Sequence, residues 1–246
     1  MNDIWTIAVK ELKEFWMARG GGARGRLTSF LVLFFVFGLY WPLSQRQAWI
    51  DAPFLPGLMF MILPLLLAGG TAADAFAGER ERHTLETLLA TRLSDRDIFL
   101  GKVLATLAYC QGMTWGCALI ALIAMNASKG AGPFYMYSGS ALVLMVVGST
   151  LLGLLMTAIG VIVSLKAASV REAAQWFSIA TLAVILGPVI LSQVLPASIK
   201  APISQALLSA DYTLVGTVAG AVVLALDIVL LAVGIARFQR TRLILE

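Results

Sequence analysis

A chain of 246 residues that is 59% apolar and 13% charged, with a mean hydropathy of +0.87, lies far from the roughly 25% charged residues of a soluble globular domain. These proportions exclude an ordinary soluble enzyme and place the chain in a membrane. The formal charge of +4 marks cytoplasmic loops in so apolar a chain, so no nucleic-acid partner is expected.

The first element, Asp3 to Met17 (residues 3–17), is too polar to span a bilayer. Its residues nonetheless follow a helical period: Trp5, Val9, Leu12 and Trp16 form one stripe, while Asp3, Thr6, Lys10, Lys13 and Glu14 lie elsewhere. That pattern predicts an amphipathic helix. Two tryptophans on the stripe favour the headgroup boundary, in contact with lipid, over a helix packed on another loop. Gly20, Gly21 and Gly22 then let the chain turn. The first apolar run begins only at Leu27, after a charged segment, so the first span is expected to be a retained anchor and not a cleaved signal.

Uncharged runs predict six transmembrane helices at about 27–45, 52–75, 103–126, 138–165, 174–195 and 212–236. Gly130, Gly132 and Pro133 make a turn before the fourth, and Pro196 closes the fifth. Lys and Arg then alternate at every crossing. The N-terminal segment holds Lys10, Lys13, Arg19, Arg24 and Arg26, the loop after the second span holds Arg80, Arg82, Arg92, Arg96 and Lys102, the loop after the fourth holds Lys166 and Arg171, and the C-terminus holds Arg237, Arg240 and Arg242. The opposite loops carry one each: Arg46, Lys129 and Lys200. By the positive-inside rule both termini are cytoplasmic. The expected fold is an all-α integral membrane protein, one transmembrane domain over 1–246.

The loop at 78–97 is the most informative stretch. Glu79, Arg80, Glu81 and Arg82 are too charged for the bilayer, but Leu85, Leu88 and Leu89 fall at i, i+3 and i+4, the spacing of a short helix with one apolar edge. Such an edge needs a partner surface. Ser94 with Asp97 three residues on has the form of a capping box opening the third span.

The run Thr84, Leu85, Glu86, Leu88, Leu89, Ala90, Thr91, followed by Ile98, Phe99, Leu100, Gly101 and Lys102, resembles the cytoplasmic loop between spans two and three of ABC-2 type transporter permeases. The resemblance extends to the six-span plan and to the opening Ile4-to-Leu12 helix; in motif it is confined to 78–102. His83 and Arg92 depart from the family, which often has Gly and Pro there. The resemblance implies a permease subunit, leaning toward export, in a bacterial or archaeal inner membrane, working as a homodimer or heterodimer with a separate ABC ATPase subunit. It implies that the helix of Thr84, Leu85, Glu86, Leu88 and Leu89 couples to that ATPase, with Glu79, Arg80, Glu81 and Arg82 supplying polar register. ATP and Mg would bind the partner: G-x-x-x-x-G-K-[ST] occurs nowhere, and Gly101-Lys102 is followed by Val103. No catalytic, cofactor-binding or metal residue is expected in this chain. In the same family picture the segment 196–210 dips into the outer leaflet as a re-entrant pair; a plain extracellular loop is the alternative.

Two carboxylates touch the membrane runs. Asp227 sits mid-span, where a charge costs about 3 kcal/mol on insertion scales; it is read either as a pathway residue or as a protonated carboxyl bonded to a neighbouring helix. Asp74 ends the second span, where water can solvate it. Gly112 with Gly116 and Gly216 with Gly220 match G-x-x-x-G. Cys110 and Cys117 lie about 10 Å apart along a helix axis, too far to bridge readily. Two other classes compete: an ion- or proton-coupled secondary transporter, thinly supported by one central Asp, and a non-transporting scaffold that passes ATPase motion to a periplasmic partner.

Overall fold

The computed structural model describes residues 2–17, 28, 30–84, 91–128, 133–196 and 212–238. Helices dominate, and no strand occurs among the described residues. In chain order they are α1 (Asn2–Met17), α2 (Phe30–Ser44), α3 (Arg46–Asp51), α4 (Leu55–Glu81), α5 (Asp95–Ala127), α6 (Gly139–Lys166), α7 (Val170–Val194) and α8 (Tyr212–Arg237). Four of them, α4, α5, α6 and α8, are long and apolar enough to cross a membrane.

Helices lie over the stretches expected to span, four of them long and apolar enough to do so, with boundaries that differ at the charged ends. The second helix does not stop near residue 75; it continues through Glu79, Arg80 and Glu81. The third opens at Asp95 and not at 103, because Ser94 caps it: its hydroxyl accepts from the Asp97 N–H (3.1 Å) and donates to the Asp97 carboxylate (2.6 Å). The fourth opens where expected, with the Ser138 hydroxyl accepting from the Ala141 N–H. The expected re-entrant segment lies, from residue 197 to 210, outside the described residues.

α4, α5 and α6 form the centre. α2 packs on α5, α7 on α4 and α6, and α8 on α6 and the edge of α5, while α1 crosses the N-terminal end of α5. The closest seam joins α4 to α6, which approach at small residues: a Cβ on Gly57 would lie 2.8 Å from the Ala141 backbone, one on Gly153 would lie 3.1 Å from Pro64, and Gly160 abuts Ala72. Without a hydrophobic drive between helices in lipid, such close approach is the main source of packing energy. Of the G-x-x-x-G pairs read from sequence, Gly112 and Gly216 face open space, whereas a Cβ on Gly116 would lie 2.9 Å from the Phe34 ring of α2 and one on Gly220 would lie 3.8 Å from Leu151 of α6. At the far end from α1, Trp49, Phe60 and Tyr137 stack edge-on at 6.0–6.5 Å, and the Tyr137 hydroxyl donates to the Ala118 carbonyl. Cys110 and Cys117 are buried and are not joined in a disulfide.

Candidate functional site

The C-terminal end of α4 is where the sequence concentrates charge, and its four consecutive charged residues each take a different partner. Successive helical residues point about 100° apart, so a run of four radiates to every side of the helix.

Glu79 turns inward and is 3% exposed. Its Oε1 accepts from Lys102 Nζ at 2.8 Å, and the same ammonium donates to Glu11 Oε1 on α1 at 2.9 Å. Lys102 is itself 1% exposed and lies 5.1 Å from the centroid of the Phe76 ring, a favourable cation–π placement. Lys10 adds a second, half-exposed ammonium 3.9 Å from Glu11 and 4.0 Å from Glu79. Burial pushes the Glu11 carboxyl above its ordinary range, and the Lys102 ammonium partly offsets this. The cluster joins α1, α4 and α5.

Arg80 reaches α6, donating to the Leu165 carbonyl at 3.1 Å and to the Ala167 carbonyl. These are orphan acceptors at a helix C-terminus, where a cation also meets the negative end of the dipole. Glu81 accepts from the Val170 N–H, the first residue of α7, at 2.8 Å, which places a carboxylate at the positive end of that helix. Ser169 and Glu172 complete the same start, the serine hydroxyl accepting from the Glu172 N–H and the Glu172 carboxylate accepting from the Ala168 N–H. Arg82 folds back on Asp74 of its own helix at 3.2 Å. Gly78 between them makes this possible, since a Cβ there would collide with Asp74 and lie 2.9 Å from the Arg82 guanidinium.

A further tie runs between α6 and α4. The Ser164 hydroxyl donates to the Ala73 carbonyl (2.8 Å) and accepts from the N–H groups of Phe76 and Ala77 (3.0 and 2.9 Å). It therefore stands inside the hydrogen-bond ladder of α4, an insertion that bends helices.

α4 ends in a Schellman motif: Thr84 N–H donates to the Glu79 carbonyl and His83 N–H to the Arg80 carbonyl. His83 occupies the left-handed position with φ 55°, where glycine is ordinarily favoured. The chain leaves this cap directly into the leucine-edged segment. Leu85, Glu86, Leu88 and Leu89 lie outside the described residues.

Two readings change. Glu79, expected to give polar register to a partner, is buried and pairs through Oε1 with Lys102 of the same chain, while its Oε2 has no hydrogen-bond partner among the described residues. The α1 helix is confirmed as a helix, but its buried face is Ile7, Ala8, Glu11 and Phe15, packed on α5. Of the stripe read from sequence, Trp5 is 64% exposed, Val9 is half-buried and Leu12 leans on the core; the Trp16 side chain lies outside the described residues. Sequence reasoning missed Glu11 and Lys102. The available signal was a charge set among apolar neighbours at helical spacing, Ala8-Glu11-Phe15 and Phe99-Lys102-Val103.

No cluster of three or more His, Cys, Asp or Glu residues able to hold a metal occurs among the described residues. Residues 33–243 match the family described as ABC-2 family transporter protein. No curated protein matches the chain significantly.

Proposed function

The chain belongs to the ABC-2 transporter family, a family of multi-pass membrane subunits without a nucleotide-binding domain of their own, and from this we propose that it is the permease subunit of an ABC exporter. In this reading α2 and α7 join the four long apolar helices as spans one and five, both termini are cytoplasmic in an inner membrane, and two permease chains pair. A separate ATPase subunit binds ATP and Mg. The leucine edge of Leu85, Leu88 and Leu89, with Thr84 and Glu86, docks in that ATPase, and Trp5 and Val9 on the outer face of α1 meet the headgroup region.

The observation that carries this reading is the charged run at the end of α4. A docking segment transmits movement only if its root is fixed to the transmembrane helices. Here Glu79 ties the root to α1 and α5, Arg80 ties it to α6 and Glu81 ties it to α7. Closure of the ATPases then moves these helices as bodies and not as isolated loops, the kind of interface-driven rotation that switches discrete states.

The test is purification of the tagged chain from its native membrane in mild detergent, with Leu85→Asp and Glu86→Arg variants alongside. An ATP-hydrolysing subunit co-elutes with the unmodified chain and is lost from both variants. Absence of any ATPase from the unmodified chain overturns the reading.

A further inference from the structure

The outer edge of α7, close to its start, carries polar side chains with open hydrogen-bonding capacity. Arg171, Gln175 and Ser178 are exposed at i, i+4 and i+7, and with Ala174 and Ile179 they line one open groove of about 490 Å³. Neither Arg171 nor Gln175 has an ion-pair or hydrogen-bond partner among the described residues. The Ser178 hydroxyl donates to the Ala174 carbonyl at 2.8 Å, which leaves its oxygen able to accept.

The opposite face of α7 shows which way this edge looks. Ala173, Phe177 and Thr181 are buried, and the Phe177 ring fills the space beside Gly69 of α4 and Gly160 of α6. The groove therefore faces away from the helix bundle. Trp176, 55% exposed, flanks it, and the exposed side chains of Ile179, Leu182 and Leu186 continue along the helix. The helix start is not itself the source of the open capacity. Its amides are taken by the chain's own acceptors, Val170 N–H by Glu81, Ala168 N–H by Glu172 and Glu172 N–H by the Ser169 hydroxyl, and Arg171 pairs with neither carboxylate.

The chemistry of this edge changes with distance from Arg171. Gln175 lies about 6 Å further along the axis and Ser178 about 10.5 Å, and the headgroup layer on each side of a bilayer is about 5–8 Å deep. A guanidinium at the level of the phosphates is thus followed by an amide and a hydroxyl at the level of the glycerol esters, and then by aliphatic side chains at the level of the acyl chains. A guanidinium grips a phosphate through two N–H groups, and an amide facing hydrocarbon is costly unless a partner such as an ester carbonyl accepts from it. A free phosphate ion would engage Arg171 and leave the rest of the edge unused.

We infer that this edge of α7 is a phospholipid-binding site. Arg171 holds the phosphodiester, Gln175 donates to a glycerol ester carbonyl, Trp176 lies in the headgroup boundary where its ring is favoured, and one acyl chain follows Ile179 and Leu182. The inference rests on reading α7 as a span, but it needs no ATPase, so absence of a co-eluting ATPase overturns the permease reading and leaves this one as it stands.

Native mass spectrometry of the full-length chain in nonionic detergent, titrated with dioleoylphosphatidylglycerol, tests this. One lipid per chain is retained, an excess of inorganic phosphate does not displace it, and dioleoylglycerol, which lacks the phosphate, does not replace it. Arg171→Gln weakens retention about 10-fold and Gln175→Leu about threefold. Lys166→Gln, which removes another exposed cation at the same end of the bundle, leaves retention unchanged. All three positions are at the surface, so the variants keep the fold. Retention unaffected by Arg171→Gln, or lowered as much by Lys166→Gln, overturns the proposal, as does displacement of the lipid by inorganic phosphate.

Discussion

Lys102→Met is the sharpest probe of the buried cluster that joins α1, α4 and α5. One ammonium, 1% exposed, sits 2.8 Å from Glu79 and 2.9 Å from Glu11, and both carboxylates are about as deeply buried. Methionine fills much the same volume, so the substitution removes charge and donors while largely keeping the packing. Removing one partner of a buried ion pair costs about 3–5 kcal/mol, because the other is left uncompensated. Here one cation serves two anions, and the remaining Lys10 is half-exposed at 3.9–4.0 Å. At about 2–4 °C per kcal/mol for a chain of this size, the unfolding midpoint in detergent falls by about 6–20 °C. Hydrogen exchange of the α1 amides rises in parallel, since α1 loses its polar anchor. The deficit narrows as pH falls, because burial raises the Glu11 carboxyl above its ordinary range and it takes up a proton. The triple variant Lys102→Met, Glu11→Gln, Glu79→Gln recovers most of the loss, because it leaves no buried charge unpaired. A single-variant deficit below about 1 kcal/mol, or a triple variant less stable than the single, would refute the reasoning, since surface ion pairs are worth no more than that.

His83→Gly raises stability by about 1 kcal/mol, and His83→Val lowers it, because the left-handed backbone at φ 55° costs an L-residue about 1–2 kcal/mol; thermal melts of the two variants check the opposite signs. Arg80→Met costs about 1.5–3 kcal/mol by leaving the Leu165 and Ala167 carbonyls without their charged donor, and Arg80→Lys restores less than half, since a single ammonium lacks the fork that reaches both. Glu11 gives a pH dependence of definite sign. Its carboxyl is raised in the folded state, so the folded protein binds more protons than the unfolded chain just above pH 4.5, and stability from this group falls as pH rises through its folded value; melts between pH 4.5 and 8 show this slope reduced in Glu11→Gln.

The parts of the architecture set by local rules were legible in the sequence. Ser94 with Asp97 and Ser138 before Gly139 announced helix starts because a cap needs only a short polar side chain at the right offset. The helical nature of α1 was legible for the same reason, since period is a property of the segment alone. Which face of α1 is buried was not, because Trp5-Val9-Leu12 and Ile7-Ala8-Phe15 are both apolar stripes, and only the partner helix α5 decides between them. Glu11 lies between Lys10 and Lys13 and so resembles a solvated charge; its burial depends on Lys102, ninety-one positions later. The α4–α6 seam was hidden in the same way, as Gly57, Gly153 and Gly160 matter through what they face and not through their spacing.

The charged run at the end of α4 reads from sequence as polar register for a partner, because charge runs usually lie at a solvated surface. On a helix that continues to Glu81, four consecutive residues instead span the full circle, and each meets a different neighbour. A segment rooted in this way is stiff for a specific reason. Separating α4 from α1 and α5 strands buried charge, separating it from α6 exposes the orphan carbonyls of Leu165 and Ala167, and separating it from α7 removes the carboxylate from the Val170 N–H. Each loss is a discrete polar cost and not a gradual thinning of contact. Any displacement of this end of α4 is therefore shared among five helices, and the easiest motion left to them is as one body.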